Sequence, residues 1–172
     1  MAATSGAVTN TDASETPGST FMNIRLIEYR PPRIAMALLT IATVLHVSFP
    51  AQSSSHFSSV YMSGTLVSTG FTVMMLAWWQ FREHRVAICP TASTNYLITE
   101  GIYRLTRNPM YLGMVTMLGG IAVFFGTLPS YAVTIVYFVL MDRWFCLYEE
   151  EKLVVNFGRD YASYKSKVRR WL

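Results

Sequence analysis

The feature that most constrains this chain is the placement of its basic residues around four apolar runs. Apolar stretches occupy residues 34–49, 60–81, 110–125 and 128–147. All 14 Lys and Arg lie before the first run, in the 82–107 connection, or from Arg143 onward. None lies in the 50–59 or 126–130 loops. Stretches approaching 20 apolar residues suit membrane spans, and basic residues favour the cytosolic side of a bilayer. The pattern predicts an all-α polytopic membrane protein with four transmembrane helices. Both termini and the middle connection then face the cytosol.

Composition agrees. Hydrophobic residues make up 52 % and charged residues 14 %, where a soluble domain carries about 25 % charged. The mean hydropathy is +0.30. The pI near 9.2 would otherwise suggest nucleic acid. Here the basic residues are accounted for by membrane orientation, so no nucleic-acid partner is expected. Cys89 and Cys146 make neither a disulfide framework nor metal-ligand spacing, and no metal is expected. Cys146 reads as a small buried hydrophobe.

Residues 1–20 are rich in Ala, Ser, Thr and Gly and read as a disordered tail that is not a secretory signal. The remaining 21–172 form one domain. Residues 21–33 mix apolar groups with Arg25, Glu28, Arg30 and Arg33, suiting the membrane surface, and Pro31-Pro32 punctuates the approach to the first span. His46 in that span is either a proton-handling group or a histidine hydrogen-bonded within the bundle, the latter being commoner. In the second span Trp78-Trp79 suit an interfacial belt. Gly64 and Gly70 allow close helix approach, and Gly119-Gly120 read as a packing notch. The third and fourth runs are joined only by Gly126-Thr127, with Pro129 just beyond, which forces an antiparallel hairpin. Residues 149–172 start acidic and end basic. Tyr161, Tyr164, Val168 and Trp171 share one helical face, predicting an amphipathic cytosolic tail helix on an anionic surface.

Two polar clusters flank the hairpin at its cytosolic end. Arg104 and Arg107 precede the third run, and Glu149 and Glu150 follow the fourth. Pro109 suits a first helical turn, Asn108 suits the cap, and the helix N-terminus favours an anionic group. Tyr103 and Tyr111 can flank a ring or face a cation. The plain alternatives are snorkelling charges that fix topology and aromatic interface anchors. The residues alone define a four-span protein with a cytosolic polar site and no reaction.

The run GIYRLTRNPMYLG, the hairpin, and then EEEKLVVNFGRDYASYK resemble a known family. They are similar to the membrane methyltransferases that include isoprenylcysteine carboxyl methyltransferases and phospholipid N-methyltransferases. The likeness covers roughly residues 96–171. It rests on Gly-x-Tyr-Arg, Arg-x-Pro-x-Tyr-x-Gly, the paired glutamates and Phe-Gly-x-x-Tyr-x-x-Tyr, in that order and spacing. The resemblance implies a methyltransferase domain over 21–172 with S-adenosylmethionine as cofactor. It implies cofactor contacts at Leu97, Ile98, Tyr103, Asn108, Pro109, Met110, Tyr111, Glu149 and Glu150. Arg107 and Glu150 are the expected catalytic residues, with Arg107 suited to the cofactor carboxylate and Glu150 able to act as a base for an amine. The break at Phe157-Gly158, with Tyr161 and Tyr164, would shape the helix closing over the cofactor. Arg143 is the expected substrate-binding residue.

The implied acceptor is lipophilic and comes from the bilayer. The leading expectation is a prenylcysteine-type carboxylate, with a phospholipid amine or a small thiol as alternatives. Asn108 stands where the prenylcysteine branch has His, and Asn cannot titrate near neutral pH. The Asn-Pro-Met-Tyr form looks more like the phospholipid branch, whereas the tail around the glutamates looks more like the prenylcysteine branch. A reading of another class, a non-enzymatic transporter or scaffold, would place polar groups near the bilayer midplane. Only His46 and a few hydroxyls lie that deep.

Overall fold

A computed structural model describes residues 31–48, 59–84 and 96–172. The expected tail (1–20), most of the surface segment before the first span, most of the first loop, Cys89 and the middle of the second connection lie outside the described residues. Helix α1 runs Pro31–Ser48, α2 Val60–Glu83, α3 Pro109–Phe125, α4 Leu128–Leu140 and α5 Cys146–Lys167. A 3-10 turn, Gly101–Arg104, precedes α3, and a π turn, Met141–Phe145, joins α4 to α5. No strand occurs among the described residues.

Three stretches are long and apolar enough to cross a membrane: Pro31–Ser48, Val60–Glu83 and Leu128–Lys167. The apolar α3 has 17 residues. At 1.5 Å per residue that is roughly 26 Å, just under a typical hydrocarbon core of about 30 Å. Large apolar side chains such as Met36, Val44, Phe71, Leu76, Ile135 and Val139 are exposed on the outer faces. Such a coat suits lipid and would be a liability in water.

Helices α2 and α3 meet backbone to backbone. The buried residues of α2 are Ser63, Gly70 and Ala77, every seventh position, and Gly113 and Gly120 of α3 keep the same interval. A Cβ on Gly113 would sit 2.6 Å from the Gly70 carbonyl oxygen, and one on Gly70 would sit 2.6 Å from that of Gly113. A Cβ on Gly120 would come within 2.8 Å of Val67. Small residues at such a repeat let two helices approach at van der Waals distance along their length. Of the glycines expected to serve packing, Gly70 and Gly120 do. Gly64 faces open space, and a Cβ on Gly119 would meet only Thr134 at 3.9 Å.

The α3–α4 hairpin closes as its sequence requires. Gly126 ends α3 at φ 62°, a left-handed conformation natural to glycine, and its N–H donates to the Ala122 carbonyl at 2.9 Å. Buried Thr127 and Ser130 share a hydroxyl hydrogen bond of 2.7 Å, and Pro129 sits in the first turn of α4. Near the hairpin His46 stacks on Phe125 at 4.7 Å. Its buried Nδ1 has no hydrogen-bond partner among the described residues.

The fourth helical run overshoots any bilayer. Leu128–Lys167 counts 40 residues, about twice the roughly 20 that a span needs, and its charged half begins at Glu149. The break expected at Phe157-Gly158 falls on Gly158, at φ 46° and ψ −112° inside α5, a conformation that L side chains avoid. The chain bends there and brings Tyr161 and Tyr164 back into the core. The tail helix is shorter than expected: it stops at Lys167 and Val168 is extended, which leaves Val168 and Trp171 outside it.

Candidate functional site

The polar residues flanking the hairpin converge. The turn before α3 is fixed first. Gly101 at φ 56° lies so close to Gln80 that a Cβ would overlap its amide nitrogen, and that nitrogen donates to the Glu100 carbonyl at 3.2 Å. Tyr103 is buried, and its carbonyl accepts a 2.6 Å bond from the Tyr164 hydroxyl. Leu97, Ile98 and Met110 pack with Tyr103, Tyr161 and Tyr164 in one cluster. Burial, then the charge of Glu149, holds the Tyr103 phenol protonated well above the usual range.

Arg107 then enters the interior with its side chain only 10 % exposed and pairs with Glu150 at 3.1 Å. Its Nη1 also donates to the Tyr161 hydroxyl at 3.1 Å. The two residues expected to meet a ligand separately hold each other in the fold. Glu150 receives two further cations, Arg170 Nε at 2.7 Å and Lys165 Nζ at 3.0 Å. Burial alone would raise the Glu150 carboxyl. Hydrogen bonds from Arg170 and Lys165, with the charges of Arg107 and Arg170, outweigh it and keep the group below the usual carboxylate range. Its bonds to Glu150 and then Asp142 raise Arg170 above its ordinary value, against the effect of burial.

Glu149 differs from its neighbour. It accepts a 2.5 Å hydrogen bond from the Tyr111 hydroxyl. Burial of its carboxylate pushes it up to about 7, with the Tyr111 bond and the charge of Lys152 pulling the other way. One glutamate is a fixed anion and the next titrates near neutrality.

Asn108 and Pro109 are buried between these groups. Asn108 occupies the N-cap of α3, but its side chain makes no capping bond, contrary to expectation. Its Nδ2 and the Nε of Arg107 are buried donors without a partner among the described residues. Unpaired buried donors are costly unless a ligand satisfies them. Arg104 is exposed. Arg143 is not brought to the cluster: its side chain is 75 % exposed and, among the described residues, pairs with Asp142 at 3.7 Å. Beside Glu150 a cleft of about 490 Å³ is lined by Leu147, Glu150, Glu151, Val154, Val155 and Lys165.

Four contributors were missed in the sequence: Asp142, Lys165, Arg170 and Trp171. Asp142 had a local signal, an acid inside an otherwise apolar run. Trp171 reads from the sequence as part of the apolar face of a surface helix, and Lys165 and Arg170 as part of its basic end.

The phospholipid methyltransferase family matches residues 58–160, more than half of the chain. An uncharacterized protein of Haemophilus influenzae is 32 % identical over 63 residues, which are 37 % of this chain and the whole of that protein. No solved structure matches. The chain belongs to the phospholipid methyltransferase family. It is an integral membrane protein of a methyltransferase class, and its polar cluster is built largely from the matched region.

Proposed function

We propose that the protein transfers a methyl group from S-adenosylmethionine to the amine headgroup of a membrane lipid, at a site on the cytosolic face of four spans. The observation that carries this reading is the cluster of buried Asn108 and Glu150 with half-buried Arg107 and Glu149 at one end of the α3–α4 hairpin. Its donor set fits the cofactor. Arg107 Nε and Asn108 Nδ2 are free to donate to a carboxylate. Glu149 can accept from hydroxyls or an ammonium, and Tyr103 and Tyr111 supply aromatic surface. Leu97, Ile98, Pro109 and Met110 give the apolar wall against which an adenine would rest.

When bound, the cofactor would supply an electrophilic methyl on a sulfonium. The protein's task is alignment and exclusion of water. Glu150, locked as an anion, holds Arg107 in place. A protonated amine has no lone pair to attack with, so it must first lose a proton. Glu149 is the better acceptor, because the three cations on Glu150 oppose its protonation. The base role expected for Glu150 therefore moves one residue, leaving Glu150 the positioning of Arg107.

Two features favour an amine over the prenylcysteine-type carboxylate. A carboxylate needs no base, whereas Glu149 is poised to be one. Arg143, the residue expected to hold a substrate carboxylate, stands away from the cluster. The cleft supports the same reading, offering an apolar wall of Leu147, Val154 and Val155 beside Glu150 and Glu151. The positive-inside pattern supports a cytosolic site and a fourth crossing by α3, with the bilayer thinned around this short helix.

The test offers the purified protein methyl-labelled donor with an aminophospholipid, a prenylcysteine and a small thiol. Label in the lipid headgroup is expected. Label in a base-labile ester would replace the amine reading with the carboxylate one. No transfer to any acceptor and no cofactor binding would overturn the assignment.

A further inference from the structure

From its geometry we infer that Asp142 and Arg170 are positioning residues of this site: they fasten a strap, residues 168–172, across both halves of it. The inference rests on the proposed cofactor reading. Neither residue touches the groups assigned to the donor; each acts through Arg107 and Glu150.

The strap makes contacts on three sides. The Arg169 carbonyl accepts the Arg107 backbone N–H at 3.0 Å, and the Arg170 carbonyl accepts the Thr106 hydroxyl at 2.7 Å. Thr106 is buried, and its hydroxyl oxygen accepts the Asn108 N–H at 3.3 Å. The start of α3 is thereby anchored to the strap on consecutive residues. On the opposite side Arg170 spans two carboxylates, donating from Nε to Glu150 at 2.7 Å and from Nη1 to Asp142 at 2.9 Å. Trp171 donates its indole N–H to the same Asp142 oxygen at 2.8 Å and packs on Phe138 at 4.8 Å.

The π turn makes this two-sided grip possible. Asp142 and Glu150 are eight residues apart, which in an unbroken α-helix at about 100° per residue leaves them about 80° apart around the axis. A π turn absorbs about one extra residue. The pair then behaves as if seven residues apart, within about 20° of one face. A single guanidinium reaches both. Its fork has the geometry for two carboxylates, which a lysine ammonium on a flexible stem lacks. With Arg170 so held, Glu150 is oriented toward Arg107, and Arg107 keeps its unpaired Nε for the donor.

The test measures binding of S-adenosylhomocysteine by calorimetry, and steady-state methyl transfer, on the full chain carrying D142N, R170K or W171F. Loss of a charge-assisted bond should weaken ligand affinity and raise donor KM about tenfold in D142N and R170K. The kcat should stay near wild type, because the acceptor and Glu149 are untouched. W171F, which keeps its ring on Phe138 and loses one N–H donor, should shift KM in the same direction by less. D142E should recover part of the affinity. W171F also carries the test if D142N does not fold. A purely structural strap would lower melting temperature and active fraction while leaving the affinity and KM of the folded fraction unchanged. That outcome, with the wild type binding the ligand, would overturn the inference and leave the cofactor reading standing. A wild-type protein that binds no ligand would instead overturn the cofactor reading, and the inference with it.

Discussion

The α2–α3 seam and the polar cluster at the foot of α3 share a helix, yet they are built on opposite principles. The seam is made of absences. Gly70, Gly113 and Gly120 contribute no side chain, and their value is the close approach of two backbones. The cluster is made of long side chains that bridge elements far apart in the chain, Arg107 to Glu150 and Arg170 to Asp142. In lipid, packing and satisfied polar groups replace the hydrophobic drive between helices. The seam supplies the first and the cluster the second. Damage to the seam should therefore cost fold, and damage to the cluster should cost chemistry.

The largest effect that would sharpen this contrast is on rate. Replacing Glu149 by Gln should lower amine methylation by about 10²–10⁴-fold, the usual worth of a positioned general base. In the wild type, the rate should climb as pH rises through about 7, where Glu149 loses its proton; in E149Q that limb should vanish. Stability runs the other way. The folded-state value lies above the ordinary one of 4.5, so the contribution of Glu149 is full below that value and is lost as pH rises through about 7. E149Q should hold its melting temperature across that window better than the wild type does. An unchanged pH profile in E149Q would remove Glu149 from the mechanism.

A mid-sized effect should come from the seam. Gly113→Ala forces a Cβ against the Gly70 carbonyl and should cost about 1–3 kcal/mol, as overpacking commonly does. A thermal melt should register the loss, while the remaining folded protein keeps its cofactor affinity. If affinity fell and the melt did not, the division between the two regions would be wrong. The smallest effect is expected at Arg143. Its exposed pair with Asp142 is worth little, so Arg143→Ala should stay within about 0.5 kcal/mol in stability. It should also leave acceptor KM unmoved; a large rise would restore the carboxylate reading.

How much of each region could be read from the sequence follows from the same contrast. The four helical runs and the Gly126 hairpin are local, set by apolar runs and by glycine's freedom at positive φ, whereas the Gly158 break is legible only through the family resemblance. Gly70 and Gly120 were visible as packing glycines and Gly113 was not, and choosing Gly70 over Gly64 needs the rotation of the helix, which only the partner decides. In the cluster, Arg107, Glu149 and Glu150 stood out as charges beside apolar runs. Their division into one fixed anion and one titrating acid was hidden, because it depends on Arg170 and Lys165 folding back over Glu150. The π turn at Met141–Phe145 has no mark in the sequence, and without it Asp142 reads as a stray acid.

Titration of the purified wild-type protein with S-adenosylhomocysteine, beside R107A and E150A, tests the central claim most directly. The account expects saturable binding to the wild type, lost in both variants at temperatures where each remains folded. Undiminished binding in both folded variants, or none in the wild type, would contradict it.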